Sequence, residues 1–62
     1  MANITSKELS AIEDQLNYEQ LLIKKYKSYA SMCQDAALKT TCEQLAAQHK
    51  NHYNTIMSYI NN

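Results

Sequence analysis

One spacing runs through this chain almost from end to end. Apolar residues recur at steps of three and four, first as Leu9, Ile12, Leu16, Ile23, Tyr26, Ala30 and Cys33, then as Leu38, Cys42, Leu45, Ile56 and Ile60. Glu19 fills the gap in the first run, and His49 and His52 fill the gap in the second. Such steps keep side chains on one side of an α-helix, whereas a half-buried strand needs alternation by two. The periodicity breaks at Ser31-Met32-Cys33-Gln34-Asp35, and with no Gly and no Pro in the chain nothing else punctuates it. The pattern predicts an all-α fold with a single antiparallel two-helix hairpin over residues 1–62. Helix 1 is expected over about 6–33, a turn at 34–35 and helix 2 over about 36–60.

Local signals support those bounds. Thr5-Ser6-Lys7-Glu8 has the form of a capping box, in which the Thr5 hydroxyl accepts from the Glu8 N–H and Glu8 reaches back to the Thr5 N–H. Asp35 is a good N-cap for the helix that restarts at Ala36-Ala37-Leu38-Lys39. So short a connection folds the second helix back against the first. Asn61 and Asn62 are expected to fray. Glu8, Glu13, Asp14 and Glu19 lead the first helix and Lys24, Lys25 and Lys27 follow, the order the helix dipole prefers. The lysines therefore read as a solvated helix end and not as a nucleic-acid patch.

A chain of 62 residues is marginal as a free-standing core. Leu22, Tyr29, Ala46, Tyr53 and Met57 broaden both stripes beyond what a two-helix seam can cover. The expected remedy is a homodimer of hairpins, which closes a four-helix bundle. Six basic residues balance six acidic ones, so no general attraction to nucleic acid or to a membrane surface is implied. The opening Met1-Ala2-Asn3-Ile4-Thr5-Ser6-Lys7 lacks the apolar core of a signal peptide, and no run reaches membrane-spanning length. A protein used inside the cell, without membrane insertion, is expected. The two cysteines, Cys33 and Cys42, form neither a disulfide framework nor a Cys-x-x-Cys pair, and they read as small apolar residues near the turn.

The interruptions of the stripes carry the chemistry. Glu19 lies about fourteen residues before Cys33 and His49 about thirteen after Ala36, so an antiparallel hairpin brings both to nearly the same level, about 20 Å from the turn. His52 follows one helical turn later. Two readings stay open at this point. A buried Glu–His network would satisfy its own polar groups and set helix register. Alternatively, carboxylate and imidazole on facing helices suit Zn, Fe or Mn, which makes Glu19, His49 and His52 the candidate metal ligands. Cys33 and Cys42 lie too far toward the turn to pair with His49 as nucleophile and base. A chain without Gly has no phosphate-cradling loop. The five tyrosines are expected to pack in the core or at an interface. No catalytic or cofactor-binding residue is expected, and the chain does not read as an enzyme.

Glu19-Gln20, Lys25-Tyr26 with Tyr29-Ala30, Asp35, Leu38-Lys39 and Ala46-x-x-His49-x-x-His52-Tyr53 together resemble the Coat F domain. That is the spore-coat protein F family, a branch of the ferritin-like helical proteins found in endospore-forming Firmicutes. The resemblance covers residues 6–60 or so, in a half-length form. It implies a helical bundle associated with sporulation, in the mother cell or the spore coat, with other coat proteins as partners. The ferritin-like di-iron motif takes a Glu from one helix and Glu-x-x-His from the next. Glu19 matches the first element and His49 the histidine, but Ala46 occupies the motif's glutamate position. Without that bridging carboxylate no di-iron oxidase or ferroxidase chemistry is expected.

The expected function is thus that of a small self-associating structural protein related to spore-coat components, requiring no cofactor. The alternative is a dimeric metal-binding bundle protein with a reduced ferritin-like site at Glu19, His49 and His52. A third reading is an adaptor that docks a larger partner's helix on its exposed Tyr and Met residues.

Overall fold

The computed structural model describes residues 4–61. Two α-helices, α1 (Ser6–Met32) and α2 (Ala36–Ile60), pack along their length as a hairpin. Both starts are built by the expected caps. The Thr5 Oγ1 accepts from the Glu8 N–H at 3.1 Å, and the Thr5 N–H donates to Glu8 Oε1 at 3.0 Å. That exchange, through the backbone N–H first and the hydroxyl second, holds the Glu8 carboxyl below its ordinary value. The Asp35 carboxylate accepts the Leu38 N–H at 2.8 Å, and its carbonyl accepts from the Lys39 N–H at 2.9 Å.

The first helix stops one residue short of the expected Cys33. Cys33 is extended, with φ −82° and ψ 131°, because the chain must leave the helical path there to reach the Asp35 cap. Neither helix carries a basic residue in its last turn. Lys24, Lys25 and Lys27 are solvated as expected, but they end before the last turn of α1, so the dipole is matched only at the N-terminal end. Asn61 caps the end of α2. Its N–H donates to the Met57 carbonyl at 3.0 Å and closes α2. Residues 1–3, on which part of the reading of the chain's opening rests, and Asn62 lie outside the described residues.

The hairpin is a rod of 46 × 17 × 10 Å. Its radius of gyration is 14.4 Å, against about 11 Å for a compact domain of this length. It exposes 4774 Å², about 700 Å² more than a compact monomer of its mass. Among the described residues the buried set is Leu16, Ala30, Cys42 and Ala46, with Glu19 as the one charged member. No side chain in it is fully buried.

The inward face of α2 is rotated from the stripe read in the sequence. Ala46 is buried and Tyr53 half-buried, whereas His52 and Leu38 are exposed, Leu38 at 54%. A second line with the same three-and-four spacing, Cys42, Ala46, His49, Tyr53, Met57 and Ile60, shares Cys42, His49 and Ile60 with it and elsewhere runs one residue to the side. Packing against α1 favours it because the small Ala46 admits a close approach. Leu38 turns outward in the first turn of α2, beside the end of α1. Among the described residues no helix is long and apolar enough to cross a membrane.

The two faces of the rod differ in character. Lys27 of α1 and Lys39, Glu43 and Lys50 of α2 line a groove floored by Ala30 and Ala46. At 3.6 residues per turn the opposite face receives Tyr18, Leu22 and Tyr29 from α1. In antiparallel register, Leu38, Leu45 and Tyr59 of α2 come to that same side. One face of the hairpin is charged; on the other, tyrosines and leucines predominate and Lys25 reaches in with its Nζ 5.8 Å from the Tyr29 ring centroid.

Candidate functional site

Glu19 is the residue around which the site forms. It stands on the inward face of α1 between Leu16 and Ile23, and its side chain is only 7% exposed. Its level on α1 matches that of His49 on α2, as the nearly equal distances from the turn require. His49 Nδ1–H donates to Glu19 Oε1 at 2.7 Å. His52 brings its own Nδ1 to 3.7 Å from the same oxygen, from the rim, where its side chain is 48% exposed. The convergence read from the sequence is therefore present, with unequal members: His49, at 19% exposure, is inside and His52 is at the edge.

Two further residues complete the cluster. Gln15, one turn before Glu19, donates its Nε2–H to Glu19 Oε2 at 2.9 Å. The two carboxylate oxygens are thus divided, one facing the amide and the other the two imidazoles. The Tyr26 ring lies nearly parallel to that of His49, with centroids 5.8 Å apart and planes 6° from parallel. His49 in turn meets His52 edge to face at 5.4 Å. These contacts fix the direction in which His49 presents its nitrogens. Gln15 was findable in the sequence, because positions four apart on a helix are neighbours. Tyr26 was not, since its contact with His49 depends on how the helices are rotated.

The His49 hydrogen bond is the first cause that holds the Glu19 carboxyl below its ordinary value of 4.5. Burial pushes the other way, while the Gln15 amide and the charges of His49 and His52 add to the lowering. An ionised Glu19 accepts on both oxygens, and no buried side-chain polar atom among the described residues lacks a partner. Gln20 adds a contact on the charged side, its Nε2–H reaching the Tyr53 hydroxyl at 3.3 Å. Ala46, where a ferritin-like motif has glutamate, is buried against α1 and offers no ligand. The cysteines stand apart from the cluster. Cys42 is buried, and the Cys33 thiol lies 3.6 Å from the Asp35 carbonyl in the turn.

Glu19, His49 and His52 can each offer one ligand atom such that all three atoms lie within 4.8 Å of one another. The arrangement can do two things. It can hold the helices in register by hydrogen bonds alone, or it can take a cation on the nitrogens and the shared oxygen.

No family model matches the chain, and no solved structure matches it. Among known proteins it is similar to the Uncharacterized protein YuzM of Bacillus subtilis (strain 168). The two are 32% identical over 57 residues, which cover 92% of this chain and 70% of the relative.

Proposed function

We propose that this chain, which belongs to the family of the Bacillus subtilis protein YuzM, acts by self-association: two hairpins join through their tyrosine- and leucine-rich faces into a four-helix bundle with a structural role. The observation that carries this is the face itself. Tyr18 is 55% exposed, Tyr29 44%, Leu38 54% and Tyr59 64%. The surplus of exposed area in the rod is close to the roughly 800 Å² that each partner buries in a standard interface. The charged groove on the other face, with Lys27, Lys39, Lys50 and Glu43, is suited to remain in water. A second copy meets the tyrosine- and leucine-rich face with the same residues, as a two-fold interface requires.

A structural role rather than catalysis accords with the Glu19 network, whose polar groups satisfy one another. The proposal extends to the spore coat and the mother cell that assembles it, with coat proteins as neighbours. Its support there is only the resemblance of the residue pattern to the Coat F domain, to which no family model adds. Recovery of the protein with the coat fraction of spores from the encoding organism tests that extension.

Sedimentation equilibrium tests the association. The wild-type chain should sediment as a dimer, and Tyr29→Lys with Leu22→Lys should sediment as a monomer of reduced helicity. A wild-type chain that is monomeric across the accessible concentration range would sink the proposal. An open series of larger aggregates would instead favour a sticky docking face.

A further inference from the structure

We propose that Glu19, His49 and His52 form a three-ligand site for a divalent transition-metal ion of the zinc class. All three ligands come from one chain, so the site does not depend on the hairpins pairing. The three ligand atoms already converge, within 4.8 Å of one another. Zinc holds imidazole nitrogen and carboxylate oxygen at about 2.0–2.2 Å, which places tetrahedral ligand atoms about 3.4 Å from one another. The two imidazole nitrogens now stand 2.7 and 3.7 Å from Glu19 Oε1, one inside that spacing and one outside it. Opening the first contact, closing the second and drawing the two nitrogens, which lie within 4.8 Å of each other, toward the same spacing makes room for the ion. His52 is exposed and can turn to close the second distance, while a small rotation of the His49 ring or of the Glu19 carboxylate opens the first.

The donor set selects the metal. Two neutral imidazoles and one carboxylate are borderline ligands, suited to Zn²⁺, Co²⁺ or Fe²⁺ and poorly suited to Mg²⁺ or Ca²⁺, which prefer oxygen. Gln15 already holds Glu19 Oε2, leaving Oε1 for the ion, an outer hydrogen bond of the kind that orients metal carboxylates. Coordination through Nδ1 requires His49 to give up the proton it donates to Glu19. A neutral ring does this by moving the proton to Nε2, and an imidazolium by releasing one proton to solvent.

The test is a titration of the purified full chain with Co²⁺, followed by competition with Zn²⁺. One equivalent of Co²⁺ per chain should bring up the visible absorption of a low-symmetry, four-coordinate site, and Zn²⁺ should bleach it. His52→Ala, at a position too exposed to support the core, should keep the circular dichroism of the wild type and lose those bands. Gln15→Ala should weaken Zn²⁺ about 10- to 100-fold without abolishing binding. The inference is overturned if Co²⁺ gives only the faint spectrum of the hydrated ion. It is equally overturned if His52→Ala binds as the wild type does. Sedimentation of the same samples with chelator reads association separately, so failure of the metal site and failure of the dimer are distinguishable.

Discussion

The Glu19–His49 pair occupies the place where an ordinary hairpin would carry two leucines, and replacing both tests what holds the helices together. Glu19→Leu with His49→Leu removes a hydrogen bond of 2.7 Å between side chains that are 7% and 19% exposed. Such a pair gains little net stability, because attraction between the partners is offset by the loss of their hydration. Each leucine that takes its place contributes about 1.5–3 kcal/mol if fully buried. The partial exposure of His49 and loss of the Gln15 contact reduce that sum, so the double variant should gain about 1–4 kcal/mol over the wild type. At this chain length each kcal/mol raises the melting midpoint by about 4–8 °C. The single variant His49→Leu should behave in the opposite way. It leaves the Glu19 carboxylate enclosed, with Gln15 as its remaining close donor and His52 at 3.7 Å, and should lose about 1–3 kcal/mol. The assay is urea unfolding followed by circular dichroism, with chelator present and protein concentration held fixed, since an associating chain gains stability with concentration. A double variant less stable than the wild type by 1 kcal/mol or more, at unchanged urea slope, would refute the reasoning. The pair would then be a net source of stability and not a determinant of register.

Two more outcomes follow from the same contacts. Because the Glu19 carboxyl in the fold lies below 4.5, its contribution to stability is fully present above that value and is lost as pH falls through the depressed one. Urea midpoints of the metal-free protein should therefore drop below about pH 4.5, and Glu19→Gln should flatten that part of the profile; an unchanged profile in the variant would assign the drop to other carboxyls. At the helix starts, Thr5→Ala and Asp35→Ala should each cost about 1 kcal/mol. The two losses should add, since the caps sit at opposite ends of the rod; a loss in Asp35→Ala no larger than that of an exposed control substitution would show that the turn holds without its cap.

Much of this architecture is determined by local chemistry, and for that reason it was legible in the sequence. The Thr5–Glu8 box, the Asp35 cap and the single break in periodicity act within a few residues of one another, so they place the helices without reference to anything distant. The meeting of Glu19 with His49 follows as well, because a constant rise per residue carries equal counts from the turn to equal heights. Rotation about each helix axis was left to the tertiary structure. A three-and-four stripe is nearly degenerate with the one beside it: Leu45 and His52 serve one rotation of α2, Ala46 and Tyr53 the other. Propensity does not separate them. Contact with α1 does, since the small Ala46 lets the helices approach and Tyr53 covers the seam while its hydroxyl finds Gln20. That rotation sets His52 at the rim instead of in the core, lays Tyr26 along His49, and turns Leu38 and Tyr59 outward on the tyrosine- and leucine-rich face. The presence of the cluster belongs to the sequence; its open side, at His52, belongs to the packing of one helix against the other.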